Sequence, residues 1–127
     1  MSGQRSRSRH RPMYSSNGGI LPSVDSNFAA SVEPLLLDNQ VDLVFFVHVH
    51  NYERTCAVYQ GKCKGMPKKD AGGIDTYDNS NFTAPVHAIV GSGGFSLDNF
   101  PKNGAVGAYR GFQSLAMPGC MPQELIC

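Results

Sequence analysis

No stretch of the 127-residue chain approaches the roughly 18–20 apolar residues that a membrane-spanning helix needs. The first residues hold no apolar segment of the kind that directs secretion. No two cysteines stand in a C-x-x-C pair, which sets a zinc ribbon aside. The sequence does not repeat itself. Charge is sparse as well, 17% of residues against 41% hydrophobic, the balance of a folded chain rather than a disordered one. The length suits one small domain or a piece of a larger one. The net charge of +1 is unevenly spread: Arg5, Arg7, Arg9 and Arg11 precede every acid, and the remaining seven bases face ten acids. The body is therefore mildly acidic and offers no broad face for a polyanion.

What is present reads as an α/β chain. Residues 1–9, MSGQRSRSR, have the composition of a basic flexible arm. That arm is too slight to make nucleic acid the expected partner. Pro12, Gly18-Gly19 and Pro22 punctuate the loop that follows. The pattern predicts a helix over residues 26–39, capped by Ser23, Asp25 or Ser26. Phe28, Val32, Leu35 and Leu36 recur at helical spacing and form its expected buried stripe. Pro34 conflicts with that helix, because it removes a hydrogen bond and crowds the preceding turn. Asp38-Asn39-Gln40 turns the chain into an apolar run over 41–47. With little alternation, that run predicts a central strand covered on both faces. Further strands are expected over 55–60 and 84–90, with a long surface loop over 61–84 between them. The last of these strands empties into Gly91, Gly93 and Gly94. Beyond Lys102 no element is predicted.

The stretch VDLVFFVHVHNYERT at 41–55 carries the chemistry. Residues two apart in a strand point to the same side, so His48 and His50 would face together if 47–51 stays extended. They lie just beyond a strand's carboxyl end, where open α/β sheets gather their ligands. Two imidazoles there could share a metal or serve two adjacent ones; ordinary surface histidines fit the spacing too. Tyr52 could line a pocket rim, or belong to a polar loop leaving the strand. Cys56 and Cys63 could close a small disulfide loop or remain two thiols. Asn81-Phe82-Thr83 is a glycosylation sequon, relevant if the chain is secreted. His87, within APVHAIV, reads as a packed strand residue.

HVHNYERT, with the apolar strand before it, resembles the last metal-binding motif of the purple acid phosphatases, members of the metallophosphoesterase superfamily. HRPMYSSN at 10–17 is similar to the preceding motif, whose histidine is also a ligand. CAVYQGKCKGMPKKD, DTYDNSNFTAPVHAIVG and GGFSLDNFP look like the plant-type branch. The resemblance covers about residues 9–102. It divides the chain into the arm at 1–9, a partial catalytic domain at 10–102 and a divergent tail at 103–127. The implied fold is a partial metallophosphoesterase α/β/β/α sandwich: the carboxyl-terminal half of the core sheet, with one helix before the central strand.

The resemblance further implies Fe(III) beside a divalent Zn, Mn or Fe. His10 and His48 would hold the divalent ion, and His50 the iron. Such paired metals polarise a phosphomonoester and activate water against it. The family's other motifs, G-D-x-G, G-D-x-x-Y and G-N-H-E, do not occur in these residues, and no catalytic residue can be named. Val47 stands where the family has glycine before its H-x-H, and Arg9 where this branch has glycine. Adjacent cations without bridging carboxylates repel. The expectation is therefore a truncated chain, inactive alone, that binds at most one metal weakly. The alternative is a non-catalytic product that pairs with the missing half or with a full-length relative. Family members are usually secreted or vacuolar.

Overall fold

The computed structural model describes residues 5–16, 26–78, 80–93 and 97–98, together with 110–114 as backbone. The tail expected at 103–127 lies outside the described residues except for 110–114, as do Met1 to Gln4, the caps at Ser23 and Asp25, and Gly94.

The chain begins with β1 (Ser6–Arg9), and α1 (Ser26–Asp38) leads into β2 (Leu43–Phe46). β3 (Tyr52–Tyr59), β4 (Lys62–Gly65), β5 (Lys68–Lys69) and β6 (Asp75–Thr76) follow, then β7 (Val86–Val90) and β8 (Arg110–Ser114). The main sheet runs β1-β2-β7-β3-β4, with β8 also paired to β3. β1 and β7 flank β2 in parallel, while β3 returns antiparallel on β7.

Helix α1 runs through Pro34 without a break. Ala30 and Pro34 are both exposed, so water can serve the carbonyl that proline leaves without a helical donor. Its end is set locally. Gln40 adopts φ +48°, its N–H reaches the Leu37 carbonyl at 2.9 Å, and the Val41 N–H reaches Leu36 at 2.9 Å. This is the Schellman pattern, and its usual apolar clasp is present because Leu36 and Val41 are both core residues. The predicted stripe needs one correction. Leu36 is buried, and Phe28 and Val32 pack against the core, but Leu35 is 58% exposed. Glu33 is turned inward in its place.

On α1's side of the sheet, Met13, Tyr14, Leu36, Val41, Val44, Phe46, Val49, Cys56, Val58 and Ile89 form one core cluster. Ala57, Ala84 and Val86 form a smaller one, against which Leu43, Tyr59 and Tyr77 pack. β2 thus buries Val44 and Phe46 and only half-covers Leu43 and Phe45. Both faces of the strand have neighbours, unequally.

Residues 61–84, read as one surface loop, contain β4, β5 and β6. Gln60 and Gly61 have φ +50° and +69°, the left-handed pair that joins antiparallel strands in a two-residue turn. A disulfide between Cys56 and Cys63, with Cα atoms 5.9 Å apart, crosses from β3 to β4. Residues 6–9, read as part of an arm, are all exposed yet form a strand in register with β2. Backbone hydrogen bonds hold it, so hydropathy carries no trace of it.

Two buried carboxylates fasten the segment after β1. Glu33 Oε1 accepts from the Tyr14 hydroxyl and from the Gln60 N–H at 3.0 Å, while Tyr14 Oη accepts from the Gly61 N–H at 3.0 Å. Glu53, fully buried, accepts from the Ser16 N–H at 2.9 Å and from the Ser16 hydroxyl. A buried charge is tolerated when such bonds satisfy it.

Candidate metal centre

β1 and β2 are parallel neighbours, so their carboxyl ends lie side by side and deliver two segments to one place. His10 follows β1 directly. Its carbonyl accepts from the N–H groups of Val47 at 3.2 Å and His48 at 3.0 Å. The sheet ladder is thereby carried one step past the strands, and the rings meet. His48 Nδ1 lies 3.0 Å from His10 Nε2, with centroids 4.9 Å apart and planes at 72°.

The segment bearing His48 and His50 is not extended. β2 ends at Phe46 and the chain bends through 48–50. Val49 is 1% exposed and Val47 44% exposed; burying Val49 anchors the bend. Gly91 supports it from below, because a Cβ there would overlap the carbonyl oxygens of Val47 and Val49. Asp98 fixes the far end: its carboxylate accepts from the His50 N–H at 2.8 Å, and its own N–H reaches the His50 carbonyl at 2.9 Å. Gly91, the first glycine after β7, is the residue type that permits such close backbone approach. Nothing in the sequence singled out Asp98.

Desolvation holds the His48 imidazole below its ordinary pKa, and the charges of His10, Arg11 and His50 push the same way against a smaller opposing pull from Asp98. A depressed pKa keeps the ring neutral, the form that donates to a metal. Two nitrogens bound to one tetrahedral zinc lie about 3.3 Å apart, so His10 and His48 need to open only slightly to share an ion. Among the described residues, however, no three His, Cys, Asp or Glu side chains are grouped to hold a metal ion. The donors fit a single ion with two protein ligands. They do not fit a dinuclear centre.

Tyr52 is half-buried at the start of β3, paired with Val90. Asn51 beside it is fully buried, and its side-chain amide has no hydrogen-bond partner among the described residues. His87 lies on α1's side of the sheet, stacked on Phe46 and edge-on to Tyr14, away from the histidine pair. Asn81 and Thr83 of the sequon are exposed on a turn, beside a groove of about 450 Å³ that Lys64 and Tyr77 also line.

Among the described residues a mixed sheet with one helix carries two histidines at the carboxyl ends of adjacent parallel strands, an α/β arrangement that matches the metallophosphoesterase fold of a solved structure. Purple acid phosphatase PPD1 from yellow lupin seeds superposes on 87% of the chain with a TM-score of 0.65 and 28% identity, over 19% of its own length. In Arabidopsis thaliana, purple acid phosphatase 18 is 38% identical over 67% of the chain, and "Probable inactive purple acid phosphatase 27" is 37% identical over 55%. No family model matches. The chain is thus similar to one part of the purple acid phosphatases. It spans 15% and 10% of those two Arabidopsis relatives.

Proposed function

We propose that this chain supplies the His10–His48 corner of a purple acid phosphatase-type metal centre, and that alone it binds one divalent ion weakly and hydrolyses no phosphomonoester. The contact between His10 and His48 carries this reading. It joins residues 38 positions apart at 3.0 Å, at strand ends where the fold class places its metals. In the whole enzyme, iron and a divalent ion would act on a phosphate ester, and His50 would join the iron. No such step can be assigned to the described donors, which lack a third ligand. Several relatives carry "inactive" in their names, which supports a member of the family without turnover. Secretion or vacuolar delivery fits the Cys56–Cys63 disulfide, since oxidising compartments preserve such bonds. Asn81 would then carry a glycan. No helix among the described residues is long and apolar enough to cross a membrane.

Calorimetric zinc titration of the chain, beside His10→Ala and His48→Ala, tests the reading. Each variant should weaken zinc binding by about tenfold or more, and p-nitrophenyl phosphate with added iron and zinc should remain intact. Zinc affinity indifferent to both substitutions, or phosphate release by the chain alone, would overturn it.

A further inference from the structure

His10 and His48 arrive on separate segments, and two fastenings bind those segments to each other. At one end the His10 carbonyl accepts from the N–H groups of Val47 at 3.2 Å and His48 at 3.0 Å. At the other, the Glu53 carboxylate accepts from the Ser16 N–H at 2.9 Å and, through its second oxygen, from the Ser16 hydroxyl. Between the fastenings lies the bend that aims the imidazoles, with the tight turn in which the Asn51 N–H reaches the Val49 carbonyl at 2.9 Å. Glu53 is itself held in β3, in register with Ile89 of β7, so the anchor belongs to the sheet. Glu53 and Ser16 are 0% and 5% exposed. A side chain needed only to fill this space would cost less as a neutral group, since a buried carboxylate must be offset by its hydrogen bonds. The charge adds strength: bonds to an ionised acceptor are roughly twice as strong as neutral ones. The other buried fastening, Tyr14 on Glu33, ties the His10 segment to α1 and the hairpin turn, not to the stretch that carries His48.

We propose that Glu53 is a positioning residue for the histidine corner: by gripping Ser16 it sets how closely the His10 ring approaches that of His48. Its action runs through the backbone of residues 10–16. The tolerance is small. The facing nitrogens are 3.0 Å apart, and two nitrogens on one tetrahedral ion lie about 3.3 Å apart. A shift of about half an ångström in the His10 segment therefore decides whether the rings can share an ion. Groups that orient ligands in this way are worth about 10–100-fold in metal affinity. The effect on zinc rests on the metal-centre reading; the approach of the rings does not.

Glu53→Gln keeps the shape and one acceptor oxygen but removes the charge, and Ser16→Ala removes the hydroxyl alone. Each variant of the whole chain is measured twice: by the imidazole shifts and ring-to-ring contacts of His10 and His48 without metal, and by zinc calorimetry. Both variants should move the imidazole signals and weaken zinc binding by about tenfold. The double variant should lose little more than either single one, because both act through one link. Tyr14→Phe is the control. It breaks the other buried fastening and should lower the urea midpoint, while the rings and the zinc affinity of the folded chain stay as they are. Circular dichroism reports folding; should Glu53→Gln fail to fold, Ser16→Ala, which keeps the backbone bond, decides. Unmoved imidazole signals, zinc affinity unchanged while His10→Ala and His48→Ala lower it, or an equal displacement in Tyr14→Phe would each overturn the proposal. Moved signals with zinc binding indifferent to both histidine substitutions would sink the metal-centre reading instead and leave the role of Glu53 standing.

Discussion

His87 should make the chain acid-sensitive in a way one substitution can isolate. It is fully buried, neither ring nitrogen has a hydrogen-bond partner among the described residues, and its ring stacks on Phe46 at 5.6 Å and meets Tyr14 edge-on at 5.1 Å. Burial pushes its pKa from the ordinary 6.5 down to about 3. The folded value lies below the unfolded one, so the unfolded chain binds the extra proton between those limits. The contribution is fully present above the unfolded pKa and is lost as pH falls. Each pH unit across the window removes about 1.4 kcal/mol, on the order of 5 kcal/mol in all, comparable with a small domain's whole stability. His87→Phe keeps a flat ring, removes the two orphan nitrogens and cannot be protonated. The relief of unpaired polar groups and the crowding by a larger ring are each about 1–3 kcal/mol and opposed, so the two proteins should be of similar stability near pH 7. Near pH 4 the variant should be the more stable by about 3 kcal/mol. Urea titrations followed by circular dichroism suit a chain without tryptophan. Carboxylate titration is common to both proteins and cancels in the difference. A difference that stays constant from about pH 7 to about pH 4 would refute the reasoning.

Two further outcomes follow from the geometry. Gly91→Ala forces a Cβ into the Val47 and Val49 carbonyls; it should cost more than about 3 kcal/mol and separate the His10 and His48 rings, whose imidazole shifts report the contact. An unchanged spectrum would mean that the bend does not rest on Gly91. Replacing Cys56 and Cys63 together by alanine opens a loop of sequence separation 7 and should lower stability by about 2–3 kcal/mol, read as a urea midpoint. An unmoved midpoint would show that the turn at Gln60-Gly61 holds the hairpin unaided.

The elements legible in the sequence are those whose side chains are buried. α1, β2 and β7 announce themselves because their apolar residues follow the helical or strand pattern. β1 and β4 are held chiefly by backbone bonds and carry Arg, Ser and Lys outward, so they read as arm and loop. The Cys56 and Cys63 spacing and the Gln60-Gly61 pair between them are the sequence features that fit the β3–β4 hairpin. The predicted stripe missed Glu33 for a different reason. Its burial is set by Tyr14 and Gln60, 19 and 27 positions away, which helical spacing cannot reveal. At the site, the residue types were legible but the path was not. The bend at 48–50 depends on Gly91 and Asp98, contributed from across the sheet.

The oxygen shared by Tyr14 and Gln60 bears on how the molecule opens. Because Gly61 also leans on the Tyr14 hydroxyl, helix, hairpin turn and histidine-bearing segment meet at one junction, and none can swing away while the other two stay satisfied. Excursions that release His10 therefore belong to a larger cooperative unit. Proteolytic cleavage within this segment, which needs the backbone to leave its place, would proceed only at the rate at which that unit comes apart.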